Sequence, residues 1–300
     1  MAQRPKLGLA LGSGSARGWA HVGVMRALAD QNIAPDVVAG CSMGAMVGAA
    51  FAAGRIEQLE AWALSLDGRG VFGLLDIGFR GGLIKGDRLL DFFHATIAGC
   101  RFEELALPFG AVATDLATGE EIWLREGKVA DAVRASCAVP GLFQPVLRDG
   151  RYLVDGSVVN PIPVSLCRAL GAEVVIAVDL GSDRAPVFKR PAKVARISPA
   201  LRERLLSAMG RQVPDPPSNG VDILRSPSLA DSLLGAIDIM QQGIARRRLV
   251  EEPPQVLLMP RLGPFSPFEY HRAALAIAEG RETVARTLPD IRAALTANIA

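Results

Sequence analysis

A serine stands between glycines placed two residues to either side in Gly40-Cys41-Ser42-Met43-Gly44, after the β-branched pair Val37-Val38 and before an Ala-rich helical stretch. G-x-S-x-G between a strand and a helix describes a sharp turn whose central residue has a strained backbone. A β-carbon at either flanking position would collide with the neighbouring strand or helix, which is why glycine is needed there. The serine hydroxyl then projects from the top of a sheet at a helix N-terminus, where free N–H groups and the helix dipole favour negative charge. The pattern also arises by chance in many sequences, so its weight comes from its surroundings.

Apolar runs alternate with helical patterns along the chain. Strands are expected at 7–11, 36–40, 109–114 and 174–179, with helices at about 19–31 and 43–53. Such alternation predicts an α/β fold, a three-layer α/β/α sandwich with a mostly parallel central sheet. Thr118–Leu124 reads as a hairpin arm, Val129–Cys137 as a helix stopping before Pro140, and Asp149-Gly150 as a turn between short strands. Further on, Leu229–Leu249 reads as a helix, Gln255–Met259 as a strand, and Glu269–Ala297 as a helical region broken near Pro289.

With 300 residues, 50% of them hydrophobic, the chain suffices for one large α/β domain or two small ones. Aromatic residues make up only 5% and the net charge is +2, so nucleic acid is not an expected partner. Leu7–Leu11 is too short and glycine-broken for a secretory signal, and no apolar run is long enough to span a bilayer. Cys41, Cys100, Cys137 and Cys167 show no zinc spacing, which suits reduced thiols in a cytoplasmic protein. From Arg184 to Arg211 basic residues dominate and prolines recur, ending in Pro214-Asp-Pro-Pro217. A surface excursion or lid at about 184–228 is expected; it reads as a solvated loop or, alternatively, as a contact for anionic headgroups on the inner face of a membrane. Val71–Phe79, followed by Gly81-Gly82, is strongly apolar and suits either the core or the lining of an acyl groove. No oligomeric state is implied.

The segment Gly12-Ser13-Gly14-Ser15-Ala16-Arg17-Gly18 follows the first strand and opens a helix. It misses the Rossmann fingerprint, with Arg17 where the third glycine belongs, and lacks the Gly-Lys-Ser/Thr ending of a P-loop. No cofactor or metal motif is therefore expected, and no EF-hand loop is present. Small residues here let backbone N–H groups converge on an anion, which fits an oxyanion hole serving a substrate carbonyl at Ser42. The alternative is a plain strand–helix turn. Only three histidines are available to activate the serine. His21 and His94 read as helix residues, so His271 is the one candidate for a Ser-His-Asp triad. Arg151-Tyr-Leu-Val-Asp155-Gly156-Ser157 offers a different base, a carboxylate ending an apolar strand on a glycine turn, although Asp-Gly turns are common.

The order Gly-rich loop, G-x-S-x-G, then Asp-Gly resembles the patatin-like phospholipase family, over about residues 7–166, with the remainder to 300 as a weaker continuation. The resemblance implies a Ser–Asp dyad of Ser42 and Asp155, used without histidine. It implies an oxyanion hole from the N–H groups of Gly12, Ser13, Gly14, Ser15 and Met43, with Arg17 and Gly18 anchoring the loop. Ala135-Ser136-Cys-Ala-Val-Pro140-Gly-Leu-Phe143-Gln-Pro145 and Asn160-Pro161-Ile-Pro163 also look like family blocks. The chain departs from the family in Gly12-Ser13-Gly14, where a glycine run is usual, and in Asp155-Gly156-Ser157, where Asp-Gly-Gly or Asp-Gly-Ala is usual. The expected function is hydrolysis of phospholipid, lysophospholipid or other fatty acyl esters. The alternative is a regulatory protein that binds lipid or acyl-CoA without cleaving it.

Overall fold

The computed structural model describes residues 4–67, 99–181, 183, 229–263, 265–266 and 268–297. Leu7–Leu11 (β1), Val37–Cys41 (β2) and Phe109–Asp115 (β3) are buried along their whole length. A strand covered on both faces has to be apolar on both, which is why these runs are continuous rather than alternating. Leu7, Leu9 and Leu11 enter one core cluster and Ala10 the other; Val38 and Ala111 join the first, Val37, Ala39 and Val112 the second. Successive side chains thus serve opposite layers, the period-two rule of a pleated strand.

Glu121–Leu124 (β4), Val146–Arg148 (β5), Arg151–Asp155 (β6), Val174–Val178 (β7) and Val256–Leu258 (β8) complete the sheet. The order is β5-β6-β3-β2-β1-β7-β8, with β4 also paired to β3. Pairs β1–β2, β1–β7, β2–β3 and β7–β8 are parallel, and β3–β4, β3–β6 and β5–β6 antiparallel. The helices are Ala20–Asp30 (α1), Met43–Ala52 (α2), Ile56–Ser65 (α3), Val129–Ser136 (α4), Val164–Ala169 (α5), Leu229–Glu251 (α6) and Ala273–Ala297 (α7). Residues of α1, α2, α3, α4 and α7 pack in the first core cluster; α5 and, from α6, Ala245 pack in the second. The expected sandwich with a central, mostly parallel sheet is present.

Register along β3 decides where the site forms. β4 covers Ala111–Thr114 from one edge, so β2 and β6 must share the other. β2 pairs there up to Cys41↔Val112, and antiparallel β6 takes over at Asp155↔Ala113. The end of β2 and the end of β6 therefore meet nose to nose on one edge of β3.

Three local features differ from the sequence reading. The first helix opens as a 3₁₀ turn, Ser15–Trp19, before α1 begins. The short α5 and the amphipathic α3, with Leu59 and Ala63 buried, were not anticipated. Pro289 does not break the last helix, since α7 runs through it. Both Pro289 and Ala285, whose carbonyl loses its partner, are exposed to water, and buried Val284 and Ile291 hold the helix on either side. The readings at 71–79, at Gly81-Gly82, at His94 and at 184–228 lie outside the described residues. Contacts divide the chain into one compact unit, Met1–Ala185 with Met240–Ala300, and a second, Pro186–Ile239, of which 229–239 at the start of α6 are described.

Helices α1 and α7 touch backbone to backbone. A β-carbon at Gly23 would sit 1.9 Å from the Ile277 carbonyl oxygen, and one at Gly280 would sit 2.1 Å from that of Ala20. Gly23→Ala and Gly280→Ala are each expected to lower the unfolding free energy by about 1–3 kcal/mol, seen as an earlier urea midpoint with an unchanged m-value.

Candidate active site

Ser42 joins β2 to α2 with φ 55° and ψ −122°, the left-handed half of backbone space that a serine rarely enters. Its surroundings impose this. A β-carbon at Gly40 would meet the Gly44 carbonyl oxygen at 2.5 Å, and one at Gly44 would meet the Leu11 carbonyl oxygen at 2.2 Å. The Ser42 N–H donates to Ser136 Oγ at 2.9 Å, tying the turn to the end of α4. The Ser42 carbonyl accepts from Ala45 and Met46, while the Met43 N–H, first in the helix, has no such partner among the described residues.

Asp155 ends β6 fully buried. Its N–H donates to the Ala138 carbonyl at 2.9 Å and its own carbonyl accepts from Thr114 Oγ1 at 2.9 Å. In the carboxylate, Oδ1 accepts from the Ser157 N–H at 2.8 Å and from Cys41 Sγ at 3.9 Å. Oδ2 is buried without a fully formed hydrogen bond, yet the Ser42 hydroxyl is near enough to favour the charged carboxylate. A loose serine–base contact of this kind is common in unliganded sites and tightens when substrate binds. Burial raises the Asp155 pKa above the ordinary carboxylate value, opposed by the donors of Ser157 and Cys41 and by the nearby Ser42 hydroxyl. A raised pKa makes this aspartate a stronger base than one in water.

The glycine loop lies beside the elbow and has fewer free donors than its sequence suggests. The Gly12 N–H donates to the Val178 carbonyl at 3.1 Å and the Ser13 N–H to the Pro161 carbonyl at 2.9 Å. Both are committed to holding the loop on β7 and on the turn before α5. Gly14 and Ser15, the latter with φ 49°, have N–H groups without a backbone partner among the described residues. Arg17 is buried and donates to the Phe265 carbonyl, so it ties the loop to a segment far along the chain. Burial lowers the Arg17 pKa, and Asp183 and Glu269 oppose that shift.

Among the described residues no histidine stands between Ser42 and Asp155. His21 is fully buried, with Nε2 2.8 Å from the Gly12 carbonyl oxygen. A carbonyl only accepts, so Nε2 carries the proton, and Nδ1 is left buried without a partner. Burial lowers the His21 pKa to about 4, so the ring is a neutral brace for the glycine loop. His271 is exposed on the 3₁₀ turn Tyr270–Arg272, while its neighbour Tyr270 packs edge-on against Trp19 at 6.3 Å between ring centroids. The Tyr270 hydroxyl lies near Ser15 and senses the charge of Asp155. The Cys137 thiol lies near Ser42. Sequence reasoning passed over Tyr270 and Cys137; Cys137 had been within reach, since it follows Ser136 in the quoted connecting block. Among the described residues no cluster of three His, Cys, Asp or Glu side chains suits a metal ion, and no helix is long and apolar enough to cross a membrane.

The sequence pattern of the Patatin-like phospholipase family matches residues 9–168. An uncharacterized NTE family protein of Mycobacterium tuberculosis is 32% identical over 95% of this chain and 91% of its own length. Human patatin-like phospholipase domain-containing protein 6 is 33% identical over 59% of this chain and 13% of that longer protein. The solved structure of VipD from Legionella pneumophila superposes with a TM-score of 0.50 at 15% identity, covering 96% of this chain and 67% of that one, a likeness of fold. The chain belongs to the patatin-like phospholipase family, and with it hydrolase chemistry is implied.

The neutral His21 carries a pH signature. Its folded pKa of about 4 lies below the 6.5 of an ordinary histidine, so its stabilisation is complete above 6.5 and is lost as pH falls through 4. This loss is worth about 3 kcal/mol. In His21→Gln, which keeps a donor for Gly12, that part of the acid destabilisation is expected to vanish, as read from urea unfolding at pH 7, 5.5 and 4.

Proposed function

We propose that the protein is a serine acyl-ester hydrolase in which Ser42 is the nucleophile and Asp155 its base. The observation that carries this reading is the buried Asp155 carboxylate beside the Ser42 hydroxyl, with Oδ2 free of any other formed bond. Asp155 takes the hydroxyl proton as Ser42 Oγ attacks the ester carbonyl carbon. The N–H groups of Gly14, Ser15 and Met43 stabilise the oxyanion; those of Gly12 and Ser13 are already engaged and hold the loop in place. Asp155 returns the proton to the departing alcohol, leaving an acyl-serine. A water molecule, deprotonated by the same carboxylate, then releases the acid and restores Ser42.

Family membership supports acyl esters of lipids as the substrate class, phospholipids and lysophospholipids among them. The name of the human relative, a patatin-like phospholipase domain-containing protein, supports the same class. Arg17 acts as an anchor rather than a phosphate ligand, because burial and its bond to Phe265 occupy it.

A fluorophosphonate probe and a panel of p-nitrophenyl acyl esters test this reading. Ser42→Ala is expected to give no adduct and no turnover, and Asp155→Asn to lose about 10²–10⁴ in rate. His271→Ala is expected to retain wild-type turnover. Retained activity in Asp155→Asn with loss in His271→Ala would overturn the dyad in favour of a triad, and a wild-type Ser42 inert to the probe would favour a lipid-binding protein.

A further inference from the structure

We propose that Ser157 and Gln241 are positioning residues for the Asp155 carboxylate: Gln241 holds the Ser157 hydroxyl so that its single proton is directed at Asp155. This rests on the dyad reading above. Ser157 belongs to the 3₁₀ turn Gly156–Val158 that follows β6 directly, and it is 1% exposed. Its N–H already donates to Asp155 Oδ1 at 2.8 Å. Gln241 Nε2 donates to Ser157 Oγ at 2.7 Å. A hydroxyl has one proton and two lone pairs, so an oxygen accepting from an amide keeps its proton for another acceptor. The Ser157 hydroxyl lies near enough to the Asp155 carboxylate to favour its charged form. Gln241 can hold its place because α6 is pinned to the same turn lower down. Arg248 Nε donates to the Val159 carbonyl at 3.3 Å and its guanidinium pairs with Glu121. Glu121 Oε1 in turn accepts from Asn160 Nδ2 at 2.8 Å.

The arrangement has a catalytic consequence. Burial alone would push the carboxylate toward its protonated, inactive form, and donors on its oxygens counter this. Two of those donors belong to Ser157. The other titratable groups facing Asp155 are Cys41 on β2, Cys137 after α4, and Tyr270, and burial pushes all three upward. They stay neutral through the acid range. Glu121 and Arg134 act on the cysteines, and His21, on α1 against the glycine loop, titrates in every variant alike. The acid limb of activity thus reports the protonation of Asp155, and removing a donor moves that limb to higher pH.

The experiment measures the rate of fluorophosphonate labelling of Ser42 from pH 4 to 8. Wild type is compared with Ser157→Ala, Gln241→Met, the double variant and Asp155→Asn, with thermal melts confirming that each is folded. Ser157→Gly repeats the test should Ser157→Ala fail to fold. The acid limb of Ser157→Ala is expected to move up by about one pH unit. Gln241→Met should move it less, and the double variant no further than Ser157→Ala. An unmoved limb in Ser157→Ala overturns the assignment; it is also what the reversed Gln241 amide, accepting the Ser157 proton, requires. Additive shifts overturn the relay through Gln241. Wild-type labelling of Asp155→Asn overturns the dyad and this proposal with it, whereas a dead Asp155→Asn with an unmoved Ser157→Ala limb overturns this proposal alone.

Discussion

The shared edge of β3 is the constraint on which the rest depends. Parallel β2 and antiparallel β6 occupy consecutive stretches of one hydrogen-bonding edge, meeting between Val112 and Ala113. Backbone ladders set that meeting point, and ladders are the least deformable part of a fold. Ser42 and Asp155, distant in sequence, are brought together by strand register, with no loop required to fold over and deliver one to the other. Gly156 shows how tight the junction is: a β-carbon there would lie 2.3 Å from the Val112 carbonyl oxygen.

Around that junction, several strained or buried elements have partners that compensate for them. Ser42 is held in its unusual backbone conformation by Ser136 and by the close approach of Gly44 to β1. The desolvated Asp155 is offset by donors from Ser157 and Cys41. The irregular glycine loop is braced at Gly12 by His21, at Ser13 by Pro161 and at Arg17 by Phe265. Rigid placement of donors before substrate arrives is what gives an oxyanion hole its effect, since no reorganisation is then needed during reaction.

Much of this was legible in the chain. The strands were readable because burial on both faces demands unbroken apolar runs, and the elbow because its glycines leave a fixed spacing. The hairpin turn at Asp149-Gly150 was readable from residues that accept positive φ, 50° and 76° here. Other features needed three dimensions. Which loop N–H groups are free depends on carbonyls supplied by Val178 and Pro161, residues more than 140 positions away. His21 looked like an ordinary helix residue and is one, except that its ring nitrogen reaches back to Gly12. Continuity of α7 through Pro289 depended on Ala285 facing water and on packing to either side. Ser157 read as a mere departure from a family pattern, because its partner Gln241 comes from a helix 84 residues on.

The family pattern ends at residue 168, yet the loop beside Ser42 is braced by Phe265 and Tyr270. Arg17 reaches the Phe265 carbonyl and Trp19 Nε1 the Tyr270 carbonyl, contacts spanning 248 and 251 positions. During synthesis the alcohol and the carboxylate leave the ribosome long before these braces exist, and contacts of such sequence separation close late. The nascent chain thus carries Ser42 and Asp155 before the loop beside them is fully braced. The glycine loop is tied down only once Phe265 and Tyr270 have been made, so its final geometry is among the last parts of this unit to be set.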